Sequence, residues 1–431
     1  LNRISRIAIS LVLLVGFTIS GCSNAKQSGT SEDGATKITL WSFVEMHLNF
    51  YEDAAKRWNE AYPNRQIELE TTQYPYAGMH RKLILSLQSG VGAPDIADVE
   101  INKFGNYLKG KPQLTNLNDL IEPVKDQYVQ SRLKIYSKNG KLYGIPTHLG
   151  SSVMFYNKNI LDEAGVDPDN IVTWDDFIQA GKKIKSATGK PMLGINTTDV
   201  NQYWPMVLQR GSHFINNSNE FSIDTKINAD SLKLLDQLVH KYKIAVPAPG
   251  GDQDVEKFYG FMSKEKVTSV LAPMWYMSRF VQYMPDLKNK IIVRPMPKWT
   301  PNGDRSAGIG GTGTVIPKQT KHPDLAKDFL KFAKVTKEAN IQIWKQLGFI
   351  PPRADVYDSP KLQEPNKFNT YFLNDDLFEV VREIRNEING PNVSGKLPRI
   401  AKPISSALHT VIRKNSETPA EALEGADKGL K

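Results

Sequence analysis

Apolar residues recur along this chain in two rhythms. Ile38-Thr39-Leu40-Trp41-Ser42-Phe43 is a short β-branched and aromatic run, which predicts a strand. Leu48, Tyr51, Ala55, Trp58 and Tyr62 then follow at spacings of three and four, one face of a helix that Pro63 stops. Residues 66–72 alternate as a second strand, residues 79–88 predict a second helix closed by Gly90, and residues 94–99 a third strand. The order strand, helix, strand, helix, strand implies a parallel sheet with helices on its faces.

The rhythm restarts after Gly150. Residues 152–157 read as a strand. Thr173 opens a helix with Asp176 in capping-box position and Phe177, Ala180 and Ile184 on its apolar face. Residues 191–196 form another strand. Helices over 229–243 and 323–333 follow, the second with Pro at its first turn, and the tail is mostly helical, as in residues 375–389. Two α/β lobes result, with the chain crossing between them near 149–151 and again near 308–314.

The N-terminal pattern is of another kind. Arg3 and Arg6 precede an apolar stretch over residues 7–17, too short for the roughly 20 apolar residues of a spanning helix. Ile19-Ser20-Gly21-Cys22 follows, and Cys22 is the only cysteine of the 431 residues. A lone thiol makes no internal disulfide and no cysteine-based metal site. The layout resembles a lipoprotein signal peptide over residues 1–21, with Cys22 as the lipidated residue and 22–37 as a flexible polar tether. Net charge is +9, or +7 once the first 21 residues, with two Arg and no acid, are set aside. No block of five or six Lys or Arg occurs, which argues against nucleic acid.

Motifs for catalysis are poor. Gly308, Gly310 and Gly313 match G-x-G-x-x-G, but Thr314-Val315-Ile316-Pro317 follows where a dinucleotide site needs a helix, so the run reads as a hinge whose bare backbone approaches a ligand. The seven histidines are scattered, and no cofactor or metal is expected. Asp98 and Glu100, two apart on a strand, share a face and point into one cleft; each taken singly reads equally as a solvated or capping acid. Aromatics stand beside polar groups at strand ends and loops: Trp41, Phe43, Glu45 and His47; Asp98 and Glu100; Tyr203 and Trp204; Trp275 and Tyr276. In open α/β sheets ligands bind beyond the carboxyl ends of strands. Sugars offer C–H faces to aromatic rings and hydroxyl rims to acids, amides and His, so the set fits a carbohydrate cleft. Trp58, Trp174, Trp299 and Trp344 read as structural.

Several stretches carry a resemblance. Gly92-Ala93-Pro94-Asp95-Ile96-Ala97-Asp98, Gly140-Lys141-Leu142-Tyr143-Gly144-Ile145-Pro146, Met154-Phe155-Tyr156-Asn157-Lys158 and Pro273-Met274-Trp275-Tyr276, behind Leu40-Trp41-Ser42-Phe43, resemble the extracellular solute-binding proteins of ABC importers. The likeness is to the sugar-binding cluster related to maltose-binding protein and, more narrowly, to its arabinose-oligosaccharide-binding members. It implies an α/β, two-lobe periplasmic-binding-protein-like fold (type II), each lobe a mainly parallel sheet flanked by helices and joined by a hinge. Lobe 1 is then 38–150 plus 308–352, and lobe 2 is 151–307 plus 353–431. It implies a monomer, held on the outer face of a Gram-positive membrane by its lipid anchor alone, that binds an oligosaccharide and docks on ABC permease subunits. Trp41, Phe43, Glu45, His47, Asp98, Glu100, His148, Tyr203, Trp204, Trp275, Tyr276, Gly310 and Gly311 are the expected sugar contacts. A lipid-anchored glycosidase using Asp98 or Glu100, and a binder of another solute on the same scaffold, are the rival readings.

Overall fold

A computed structural model describes residues 34–431; the expected signal peptide and Cys22 lie outside the described residues. The described part opens on strand β1 (Thr36–Ser42), which takes in the last two residues of the expected tether and pairs in parallel with β2 (Ile67–Gln73) and β3 (Ile96–Glu100). The helix between the first two strands, Glu45–Ala61, buries His47, Leu48, Phe50, Tyr51, Ala54, Ala55 and Trp58, the face that the three–four spacing marks. The next helix, Tyr76–Ser89, ends where Gly90 takes a left-handed conformation, at a φ of 81°.

A hairpin of β4 (Ser137–Lys138) and β5 (Lys141–Leu142) leads to β6 (Ile145–Pro146), and the chain then leaves the first lobe. Lobe 2 is built from β7 (Ser152–Asn157), β8 (Leu193–Ile195), β9 (Ala245–Pro247), β10 (Ser269–Pro273) and β11 (Ile291–Pro295); β12 (Thr312–Val315) returns to lobe 1. The two five-stranded sheets run β2-β1-β3-β12-β6 and β11-β7-β10-β8-β9. In each sheet the strands of the repeating strand–helix units pair in parallel. The antiparallel ladders are those of β12, which reaches lobe 1 from the opposite direction, and of β7, which begins lobe 2.

The sheet of lobe 2 is covered on both faces. Met154 and Tyr156 of β7 enter one buried cluster, and Val153 and Phe155 enter another. Alternate residues of a strand point to opposite faces, so a continuous apolar run means burial on both. The tail divides between them: Val356 to Ile388 pack on the Phe155 side, Leu397 to Leu430 on the Tyr156 side. The helix Trp174–Thr188 starts from the expected capping box, with the Thr173 N–H donating to Asp176 Oδ2 at 2.8 Å and the Asp176 N–H to Thr173 Oγ1 at 3.1 Å.

The crossings hold one another. Ser151 bridges Gly308, the Ile309 N–H donates to Gly150 O at 3.0 Å, and the Thr147 N–H donates to Thr312 O at 2.9 Å. A third segment joins them, because the Leu149 N–H donates to Ile350 O at 2.9 Å. Gly150 and Gly310 sit at φ of 69° and 67°, and Gly311 at 114°, conformations that favour glycine. Among the described residues no helix is long and apolar enough to cross a membrane.

Candidate functional site

The floor of the space between the lobes is glycine backbone. The Ile101 N–H donates to Gly311 O at 2.9 Å, and the Arg132 guanidinium donates through Nη2 to Gly310 O at 2.7 Å. A Cβ at Gly310 would stand 3.0 Å from Trp275 Nε1. The half-buried Trp275 ring packs against the cores of both lobes. It follows β10 directly and carries Arg279 over its ring at 5.4 Å from the centroid. An indole with one face held by a cation can offer its other face to a sugar ring.

The wall of lobe 1 begins where β3 ends. Glu100 caps the helix Ile101–Tyr107, its Oε2 accepting from the Asn102 N–H at 2.8 Å and from Tyr76 Oη–H at 2.9 Å. Its Oε1 accepts from Asn102 Nδ2 at 3.1 Å. Burial pushes the Glu100 carboxyl up to about 7, against the pull of these hydrogen bonds. Phe43 lies edge-on to Tyr76, 5.2 Å between centroids, with His80 behind at 5.1 Å. Lys103 Nζ lies 5.5 Å from the centre of the Tyr76 ring. Glu45 is exposed in the first helical turn just after Phe43.

The wall of lobe 2 is acidic. After the tight turn at Gly250 and Gly251, Asp252 accepts from Asn196 Nδ2 at 3.1 Å, and Asp254 accepts from Arg279 Nε at 2.7 Å. Burial and the neighbouring Asp252 push Asp199 up to about 7. Buried Tyr276 serves this turn from behind, its hydroxyl donating to Gln253 O at 2.5 Å.

Of the expected contacts, then, Phe43, Glu45, Glu100, Trp275, Gly310 and Gly311 keep accessible surface, and Glu100, Trp275 and the two glycines gather at the floor. Others are corrected. Asp98 is fully buried inside lobe 1, where Oδ2 accepts from Ser42 Oγ at 3.0 Å and pairs with His47 Nδ1 at 2.9 Å. Its Oδ1 accepts from Thr314 Oγ1 at 2.8 Å. Burial alone would raise its pKa, but His47, Lys334 and Thr314 outweigh it and hold the carboxyl below the usual range. Asp98 and His47 therefore hold lobe 1 together and do not face a solute.

Tyr203 and Trp204 are also buried, against Phe214, with the Tyr203 hydroxyl donating to Asn228 O at 2.7 Å. They belong to the core of lobe 2. Trp41 packs on Tyr74 at 5.1 Å, with Lys82 on its ring. His148 is buried at the crossing against Phe349, and burial with the nearby Arg132 lowers its pKa well below the ordinary value. Tyr76, Asp199, Asp252, Asp254 and Arg279 are additions. Arg279 stands four residues after Trp275, a spacing that signals a shared helical face.

This is a hinged pair of lobes with an aromatic and acidic cleft, the anatomy of a binding protein. The chain belongs to the bacterial extracellular solute-binding protein family, whose model matches residues 45–339. It is 45% identical over 424 residues to the arabinooligosaccharide-binding protein of Bacillus subtilis, covering 98% of this chain and 97% of that one. It is likewise 45% identical over 403 residues to the arabinooligosaccharide-binding protein of Halalkalibacterium halodurans, covering 93% and 90%. Among solved structures, the sugar-binding protein MalE from Xanthomonas citri superposes with a TM-score of 0.76 at 19% identity, covering 92% of this chain and 96% of that one. The GacH receptor of Streptomyces glaucescens gives 0.74 at 17% identity, covering 91% and 97%.

Proposed function

We propose that this protein captures an arabino-oligosaccharide outside the cell and delivers it, unaltered, to the membrane subunits of an ABC importer. The observation that carries the reading is Trp275, an indole set between the two lobes over a bare glycine floor, with carboxylates on both sides. The kinship to arabinooligosaccharide-binding proteins supports the choice of sugar. Sugar resting on one lobe gains the contacts of the other on closure, and that difference in affinity drives the closed state. Trp275 stacks on the sugar; Glu100, Asp199 and Asp252 accept its hydroxyls. Asp98 and Glu100 do not form a glycosidase pair, because Asp98 is spent within lobe 1.

A thermal-shift panel of arabino-, xylo- and malto-oligosaccharides tests the reading. Ligand at about 100 times its Kd stabilises a fold by roughly 2.7 kcal/mol, so the arabino series is expected to raise the Tm by a few degrees. No shift with any member of that series would overturn the assignment.

The acids make the affinity pH-dependent. Glu100 and Asp199, both near 7, accept hydroxyls best as carboxylates, so affinity is expected to rise as pH goes from 6 to 8. Titration calorimetry across that range checks it. Glu100→Gln should flatten much of the slope, and a wild-type profile with no slope would remove both acids from the site.

The protein acts as a monomer, anchored through acylated Cys22 to the outer face of the membrane. Cys22→Ala is expected to move it from the membrane fraction into the medium, read by immunoblot.

A further inference from the structure

The returning run 308–311 separates two spaces. Gly310 turns its Cβ position toward Trp275, whereas Gly308 turns its own toward Ile388 and Arg132, at 2.8 and 3.3 Å. On that second side lies a cavity of about 850 Å3, walled by both lobes. Its volume falls within the range of small-molecule sites.

The charge of this cavity has one sign. Lobe 1 contributes Lys109, Lys134 and Lys138, and lobe 2 contributes His213; among the described residues no carboxylate lines it. The Lys138 ammonium is fixed in the wall by Leu108 O at 2.5 Å and Gly110 O at 2.8 Å, which orient it without neutralising it. Lys134 and His213 approach from opposite lobes closely enough that burial and then the Lys134 charge lower the His213 pKa. His213 Nδ1 is buried there without a hydrogen-bond partner. Lys109, Lys134 and Lys138 crowd like charges on the lobe 1 wall, facing a neutral His213 whose unmet buried nitrogen costs free energy. An anion answers both.

The remaining lining defines what kind of anion. Asn216 brings its amide nitrogen, Asn392 its amide oxygen and Ser394 its hydroxyl proton, while the Ser131 hydroxyl donates to Ile388 O and the Asn392 nitrogen to Ile215 O; among the described residues no aromatic ring apart from the His213 imidazole lines the space. Stacking, which serves the Trp275 cleft, has no platform here, whereas hydroxyl recognition has several partners. We propose that this cavity is a second binding site, taking a hydroxylated anion of monosaccharide size: a sugar acid or a sugar phosphate.

Titration calorimetry on the full chain with galacturonate, arabinose 5-phosphate and neutral arabinose tests it. At least one anion should bind, and the responding anion tells the two sources apart. Arabinose at the same concentration should leave this site empty. The double variant Lys109→Gln/Lys134→Gln should weaken anion binding at least tenfold while keeping the melting temperature of the wild type, which reports that it folds. Trp275→Ala should leave anion binding unchanged. Absence of heat with both anions, or equal anion affinity in the double variant, would overturn the second site. Since these readouts need no oligosaccharide, they stand apart from any failure of the arabino-oligosaccharide reading.

Discussion

Asp98→Ala is expected to destabilise the protein by about 3–5 kcal/mol, the cost of removing one partner from a buried ion pair. Asp98 and Lys334 are both fully buried, and they share Thr314, whose hydroxyl lies 2.8 Å from Asp98 Oδ1 and 2.7 Å from Lys334 Nζ. Tyr51 joins through Thr314 at 2.7 Å, and Lys334 also donates to Thr147. The network therefore ties β3, β12, the helix Glu45–Ala61 and the first crossing into one body. Without Asp98 the Lys334 ammonium is stranded in the interior; burial already lowers its pKa to about 8, so it sheds its proton and bounds the loss. The sign of the pH dependence follows. Asp98 is depressed in the folded state, so its stabilisation is in place above the unfolded carboxylate pKa of about 3.9 and is lost as pH falls through the lower folded value. Urea unfolding at pH 7 should show a much lower midpoint for Asp98→Ala and a smaller drop for Asp98→Asn, which keeps the shape. Wild-type midpoints in both variants would mean that this carboxylate does not hold lobe 1.

Trp275→Ala is expected to weaken oligosaccharide binding by about 1–3 kcal/mol, the range for a flat ring lost from an aromatic platform, or roughly fivefold to 150-fold in Kd. The indole stands at the floor between the walls, and its truncation also frees Arg279, which lies over it at 5.4 Å. Trp275→Phe should recover part of the affinity. The comparison with Trp204→Ala separates the cleft from the core. Trp204 is buried against Phe214, so its truncation should cost stability with little change in the affinity of the folded fraction.

Much of this fold is legible in the chain because each signal is local. The three–four spacing around Tyr51 and Trp58, the glycine stop at Gly90 and the Thr173–Asp176 box all act within a few residues of where they are written. The site is less legible, because the direction of a side chain depends on where an element ends. Asp98 and Glu100 read as one face of a strand, and both do lie in β3, yet Glu100 is its last residue and turns its carboxylate to cap the helix Ile101–Tyr107, whereas Asp98 is buried within lobe 1. Asn201-Gln202-Tyr203-Trp204-Pro205 reads as an aromatic loop. It opens the helix Tyr203–Leu208, apolar on every side and buried along its whole length. His47 has Tyr51 one turn on, but its partner Asp98 lies fifty-one positions away and leaves no local mark. The acids Asp252 and Asp254 go unread in the sequence, and the one local signal for them is the glycine pair before them, a turn that aims its neighbours.

In the proposed function the protein is a clamp that holds an arabino-oligosaccharide without altering it. Titration calorimetry with arabinotriose, followed by chromatography of the recovered ligand, tests it most directly. Saturable binding near one ligand per chain, with arabinotriose recovered intact after prolonged incubation, is the expected result. Arabinose and arabinobiose appearing in the recovered material, or no binding by a folded protein, would contradict it.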